Sequence, residues 1–438
     1  MKAHDFGNLS CYNENDCHDE LLPGGTMKLN KWIIWGIALQ LILIIATSFM
    51  FNYKKSTKTN EESVRGTALS IWVYSQDLET SINEFHQTYP NIDVDVRYFR
   101  SSDHLFTELM AAISANAAPQ LAEIKSYYGI TQLVDAGAVL PVDNLSIPEW
   151  KKLQPAFTEP FHYSDLDWAV PIGGSIPMLY YREELLKNSQ KGSFTGWNEV
   201  SNAAMETNLI GNDGGIKGHW GIAIDKELPW YLESLNVKES HGETEEYGKF
   251  DSAISMWGEW VHSLNIMKPL THRRAASDFI NGKIGLFLST SEQLMTVERY
   301  IGGKFQYNAQ LLPGLEQQGI VPSVDGMIVL NSTPTKVKAA NSFISYMINE
   351  NTQNALLRSN GLIPSRSDVL LKLQEEGQWN ASQKMILDSV RMFSVKRPAK
   401  MDFERWSYTQ SMLEQLEQEP NDTKEKHFED EYETWLRK

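Results

Sequence analysis

The chain has 438 residues, 42% hydrophobic and 11% aromatic, which is enough apolar material for more than one packed body and excludes a disordered or collagen-like chain. Its formal net charge of −16 at pH 7 argues against nucleic acid as a partner, since phosphate contacts need a basic face. Both cysteines, Cys11 and Cys17, precede the first long apolar run, so the rest of the chain holds no disulfide framework, thiolate nucleophile or cysteine-based metal site.

Residues 1–26 are polar and acidic, and a basic start, MKLNK, begins at Met27. Gly24-Gly25 must be encoded by purine-rich GGN codons just upstream of that methionine. Residues 1–26 are therefore expected to be a non-native or disordered extension ahead of a start at Met27. From Trp32 to Phe51 the chain reads WIIWGIALQLILIIATSFMF, long enough to cross a bilayer. Residues 27–53 are expected to form a transmembrane signal anchor. A cleaved secretory signal, with Ala46 and Ser48 near the cut, is the alternative. Lysines lie on both sides of the run, so the positive-inside rule gives no orientation. Residues 54–66, KKSTKTNEESVRG, read as a flexible linker.

The folded body opens with an apolar strand, LSIWVYS, Leu69 to Ser75. Leu78, Ile82, Phe85 and Tyr89 then share one helical face, and Pro90 stops that helix. Ile92, Val94, Val96 and Tyr98 alternate with polar neighbours as a second strand. A helix carrying Leu105, Phe106, Leu109 and Ile113 comes next, then a short strand from Leu121 to Ile124. This alternation predicts a mostly parallel sheet covered by helices. Helical spacing returns at Asn198–Asn208, Tyr247–Leu264 and Ala275–Ile280. Strands are expected at Ile284–Leu288 and Met327–Leu330. Beyond Thr335 the pattern is nearly all helix, with Trp257, Trp260, Trp406, Met412 and Leu416 as buried-face candidates.

Five segments in order resemble the extracellular solute-binding proteins of ABC importers, the group that includes the maltose-binding type. They are LSIWVYSQDLETSINEFHQTYP with NIDVDVRYF; APQLAEIKSYYGITQLVDAGAVL; WAVPIGGSIPMLYYREELL with TGWNEV; ASDFINGKIGLFLST; and KAANSFISYMI with NGLIPSR. Gln120-Leu121 and Arg182 depart from the usual pattern, and no lipid-attachment cysteine follows the apolar run. The resemblance implies an α/β, two-lobed periplasmic-binding-protein-like fold of type II, with discontinuous lobes joined by a hinge. Lobe 1 is expected at 67–173 and 283–330, and lobe 2 at 174–282 and 331–438. The chain would cross near Gly173-Gly174, return near Lys283 and cross again near Asn331. The resemblance also places the body outside the cell, anchored to the membrane.

Such a protein performs no bond chemistry; it needs a cleft, groups that hydrogen-bond a ligand, and a hinge. Ligands favour clefts at the carboxyl ends of strands. Those ends supply Tyr74, Ser75 and Gln76, then Tyr127, and then Ser289 and Ser291, for which helix capping is the plain alternative. Trp220 and Trp230 lie near expected loops of the second lobe and suit the flat C–H face of a sugar, with a core role as alternative. Gly173, Gly174, Tyr180 and Asp325 complete the candidate set, with packing as the plainer role for Tyr181 and a simple turn as the equal alternative to a loop near the cleft for Asp325-Gly326. Trp72 reads as core. Asp165 and Asp167 lack the oxygen ligands that a calcium loop or carboxylate pair needs, and read as turn residues.

There is no HExxH, GxSxG, Walker or GxGxxG signature, so no enzyme, cofactor or metal site is expected. The expected function is the substrate-binding component of an ABC transporter, a monomer capturing a sugar or oligosaccharide for permease subunits in the membrane. A ligand-presenting sensor for a receptor kinase and a membrane-anchored carbohydrate-active enzyme are the alternatives.

Overall fold

A computed structural model of the protein describes residues 66–75, 78–186, 194–210, 218–225, 254–314 and 319–419. Among them, no helix is long and apolar enough to cross a membrane. The run from Trp32 to Phe51, with the expected extension and linker through Arg65, lies outside the described residues, as do Gln76 and Trp230.

The first part of the chain folds as its periodicity dictates. Strand β1 (Thr67–Val73) is apolar on both faces and sits inside a sheet; β2 (Ile92–Tyr98) alternates and forms its outer edge. Helix α1 (Glu79–Thr88) joins them, burying Ile82 and Phe85. Helix α2 (Ser102–Ser114) leads to β3 (Leu121–Lys125), and α3 (Ile130–Asp135) follows. After the short helix α4 (Pro155–Thr158) come β4 (His162–Tyr163) and β5 (Leu166–Asp167), paired across a two-residue turn in which Ser164 and Asp165 have φ of 51° and 62°. Asp165 is thus a turn residue, and Asp167 pairs with His162 Nδ1 at 2.9 Å.

Strand β6 (Val170–Ser175) closes the first sheet and β7 (Pro177–Arg182) opens the second, with Ile176 alone between them. The second body continues through α5 (Trp197–Ile210), β8 (Trp220–Ile224), α6 (Ala275–Ile280), β9 (Ile284–Thr290), α7 (Gln293–Ile301) and β10 (Tyr307–Leu311). Strand β11 (Ser323–Val329) returns to the first sheet, and helices complete the described residues: α8 (Pro334–Met347), α9 (Glu350–Asn360), α10 (Ser367–Glu375), α11 (Ala381–Ser389) and α12 (Asp402–Gln418). The sheet orders are β2-β1-β3-β11-β6 and β10-β7-β9-β8. Strand β11 runs antiparallel to β3 and β6, whereas β1, β2 and β3 are parallel.

The expected segment boundaries need correcting. The chain does not return to the first sheet at Lys283, because Ile284–Thr290 pairs with β7 and β8 of the second. The return falls between Leu311 and Ser323. Residues past Asn331 do not leave at once either: α8 lies on the first sheet, with Phe343 edge-on to Phe85 at 5.1 Å. All seven residues of β9 are buried, so its composition marks a central strand without naming the sheet.

One apolar cluster sits between the first sheet and helices α1 and α8. The other runs from Phe106 and Tyr128 through to Tyr180 and Phe287, joining the far face of the first sheet to the second. Helix α5 presses directly on the second sheet: a Cβ at Gly221 would lie 2.1 Å from the Ala204 carbonyl oxygen, and one at Gly285 would lie 2.3 Å from Thr207 Oγ1.

Candidate functional site

The carboxyl ends of β1 and β3 and the start of β11 meet where the chain changes sheets, and they bring a charged cluster together. In LAEIK, Glu123 and Lys125 alternate with Ala122 and Ile124, so the charges share one face of β3. Both side chains are nearly fully buried, as is Asp325, which lies opposite Lys125 in the antiparallel register. Lys125 Nζ is 2.7 Å from Asp325 Oδ1 and 3.3 Å from Glu292 Oε1. Glu292 follows β9 of the second sheet. Tyr74 donates its hydroxyl to Asp325, and its ring centroid is 5.6 Å from Lys125 Nζ. Glu123 accepts from the Tyr74 N–H at 2.8 Å, the Ser75 N–H at 3.0 Å and the Ser75 hydroxyl at 2.5 Å.

Burial dominates the titration of this group. It pushes Glu123, helped by the neighbouring Asp325 carboxylate, from 4.5 up to about 7, against the pull of the Ser75 and Tyr74 hydrogen bonds. Burial raises Asp325 as well, although Lys125 beside it favours the charged form. The Tyr74 phenol is driven up by burial and by both carboxylates. Of the expected residues, Tyr74, Ser75 and Asp325 are therefore brought together here. Glu123, Lys125 and Glu292 were not anticipated; charged residues alternating inside an otherwise apolar strand were the available signal.

A ring cluster adjoins it. Tyr127 and Tyr128, just past β3, are buried, with Tyr128 stacked on Trp406 of α12 at 4.6 Å and 28°. Tyr127 is 6.5 Å from the same indole. Phe403, one turn earlier on α12, packs on Phe106 at 4.5 Å. Trp406, expected only as a buried helix face, thus stands beside Tyr127.

Other expected site residues serve the scaffold instead. The Ser291 hydroxyl accepts from the Ile176 N–H at 3.3 Å while the Ser291 N–H donates to the Ile176 carbonyl at 2.9 Å, tying the crossing. The Ser289 hydroxyl donates to Asp225 at 2.6 Å. Tyr180 is core: it is fully buried, donates to the Thr290 carbonyl at 2.7 Å and packs on Phe287. Tyr181, also buried, meets Phe194 edge-on. Trp220 opens β8 opposite Ile284, four residues or about 13 Å from the strand's carboxyl end, so it is away from the crossing. Gly173 and Gly174, expected at a bend, lie inside β6. Gly174 exchanges two backbone hydrogen bonds with Ile363, and a Cβ there would come 2.8 Å from Phe157 and 2.9 Å from the Ser323 carbonyl oxygen. Glycine at 174 is needed for close approach, and the passage between the sheets falls at Ile176. Among the described residues, no group of histidine, cysteine or carboxylate side chains could hold a metal ion.

Residues 80–385 match the model of the bacterial extracellular solute-binding protein family. The chain belongs to this family. Members of the family are binding proteins and not enzymes. No curated protein matches the chain in sequence. Among solved structures, the solute-binding chain resembles the ABC substrate-binding protein Lmo0181 from Listeria monocytogenes in complex with cycloalternan, at 18% identity and TM-score 0.69, covering 85% of this chain and 99% of that one. The maltose/maltodextrin-binding domain MalE from Bdellovibrio bacteriovorus, bound to maltotriose, is similar at 14% identity and TM-score 0.71, covering 85% and 100%. UgpB from Mycobacterium tuberculosis, in complex with glycerophosphocholine, is similar at 13% identity and TM-score 0.70, covering 85% and 99%. These likenesses show the fold, two α/β lobes with the chain passing between them.

Proposed function

We propose that the protein captures a sugar or oligosaccharide outside the cell, in the cleft between its two sheets, and delivers it to the permease of an ABC importer. The observation that supports this most is the meeting of Tyr74, Glu123, Lys125, Asp325 and the Tyr127–Trp406 rings at strand carboxyl ends, where the chain changes sheets. Flat rings beside paired donors and acceptors suit an alternation of C–H faces and hydroxyls. Solute-binding relatives seen with cycloalternan and maltotriose agree with that ligand class. The Trp32–Phe51 run would tether the body to the membrane as a monomer.

A sensor role, presenting ligand to a membrane receptor kinase, is the second reading. It is favoured by an apolar run, broken only by Gln40 among strongly polar residues, without a lipid-attachment cysteine beside it. Thermal shift of the full chain in detergent tests the ligand class, using maltotriose, cycloalternan and glycerophosphocholine. A rise in melting temperature with either carbohydrate is expected. A rise with glycerophosphocholine alone would overturn the carbohydrate reading.

A further inference from the structure

Helix α12 is held at its two ends by different bodies. At its carboxyl end Glu417 is buried and accepts from Trp257 Nε1 at 2.8 Å and from the Leu270 N–H at 2.6 Å, and it meets His272 Nε2 at 2.6 Å. The other nitrogen of His272 faces the Ile224 carbonyl at the end of β8, at 3.0 Å, so this end belongs to the second body. The amino end lies on the first body. There Gln132 of α3 donates to both oxygens of Glu404, at 2.9 and 2.8 Å, and Phe403 and Trp406 cover Phe106 and Tyr128.

We infer that the chain closes its own cleft with this helix. The rings of Phe403 and Trp406, carried by the second body, occupy the face of Tyr127 and Tyr128 that a ligand would use, and entry requires α12 to lift from α3. Two features make the closure reversible. Besides the rings, the amino end is held by long bonds from Thr131 to the Ala399 and Lys400 carbonyls, at 3.4 and 3.5 Å, and by the exposed Arg397–Glu159 ion pair, and the group that holds the Glu404 carboxylate is the neutral amide of Gln132. It also leaves Trp406 Nε1 and Gln132 Oε1 buried with no hydrogen-bond partner, a penalty that an incoming hydroxyl would relieve. The anchor at Glu417 is better satisfied, so the amino end is the one that parts.

Self-closure reduces apparent affinity by the fraction of molecules open, so loosening it strengthens binding. The ligand arm rests on the carbohydrate reading; the distance arm does not. The full chain in detergent, with Cys11→Ser and Cys17→Ser, is spin-labelled at Thr107→Cys on α2 and Glu298→Cys on α7. Without added carbohydrate, one short distance population is expected. Glu404→Ala should add a longer population and bind maltotriose several-fold more tightly, and Glu404→Gln, which keeps an acceptor for Gln132, should restore the short one. A distance distribution that Glu404→Ala leaves unchanged would overturn the inference. A distance change without binding of any carbohydrate would uphold self-closure and remove the carbohydrate reading instead.

Discussion

Lys125 and Glu292 meet at 3.3 Å although one ends a strand of the first sheet, the other follows a strand of the second, and they stand 167 residues apart in the chain. With Asp325 on its other side, the Lys125 ammonium is shared between the two bodies. Removing it strands a buried carboxylate, whereas removing Glu292 takes away only a partly exposed partner. Lys125→Met is therefore expected to lower stability by about 3–5 kcal/mol, and Glu292→Gln by much less. Denaturant unfolding of each variant checks this, and Lys125→Met combined with Asp325→Asn should recover much of the loss. A double variant as unstable as Lys125→Met alone would count against the pairing as the cause.

The stability that Glu123 contributes should fall as pH rises through the neutral range. Glu123 takes up its proton near 4.5 when unfolded but near 7 when folded, so between those values the folded chain holds more protons. Stability is then lost as pH climbs through that window. His272 acts in the same direction. Burial of the ring pulls its proton affinity down, but the Glu417 hydrogen bond and charge, with the Ile224 carbonyl and Asp225, hold it above the ordinary 6.5, so its contribution is full below that value and lost above the raised one. His219, which burial holds below the ordinary 6.5, works the other way, so the check is the difference between parent and variant: Glu123→Gln should remove a decline in melting temperature between about pH 5 and about pH 7. A variant with an unchanged slope would remove Glu123 from the explanation.

Gly173 and Gly174 are neighbours with different tolerances. A Cβ at Gly173 has its nearest neighbours at 3.5 Å, ordinary contact, whereas at Gly174 it meets Phe157 at 2.8 Å and the Ser323 carbonyl oxygen at 2.9 Å. Gly173→Ala should fold with a melting temperature close to that of the parent. Gly174→Val should lose roughly 1–3 kcal/mol or more through overpacking. Equal melting temperatures for the two would contradict the close approach at Gly174.

Tyr180 and Trp220 should be silent in ligand binding. Tyr180→Phe removes one hydroxyl that donates to the Thr290 carbonyl and is expected to lower stability by about 1 kcal/mol without changing affinity. Trp220→Ala should likewise leave maltotriose affinity as it was, because its end of β8 lies away from the crossing. A tenfold affinity loss in either, with folding intact, would move the site.

Local periodicity made β1, β2 and the helix between them legible, since Leu69–Val73 and Ile92–Tyr98 carry their burial pattern openly. Which sheet a strand joins was not legible: Ile284–Thr290 is buried throughout, and nothing in such a run distinguishes the partners available to it. Glycines were misread for a similar reason. A glycine that permits a turn and one that admits a phenylalanine ring look alike until Phe157 is placed beside it. At the site, Tyr74 and Ser75 came from the strand-end rule, whereas Asp325, expected on a loop or turn near the cleft, lies inside β11. Lys125 and Glu123 carried a signal in their alternation, but Glu292 acquires its role only through a contact made across the fold.

Ile176 is the whole connection between β6 and β7. One residue spans two Cα steps, about 7–8 Å at most, so the facing strand ends cannot be drawn apart beyond that distance. Any relative movement of the two bodies at this point must be a pivot and not a separation. Room for a ligand then grows with distance from Ile176. A longer oligosaccharide would have to extend outward along the cleft, with only its terminal units seated near Lys125.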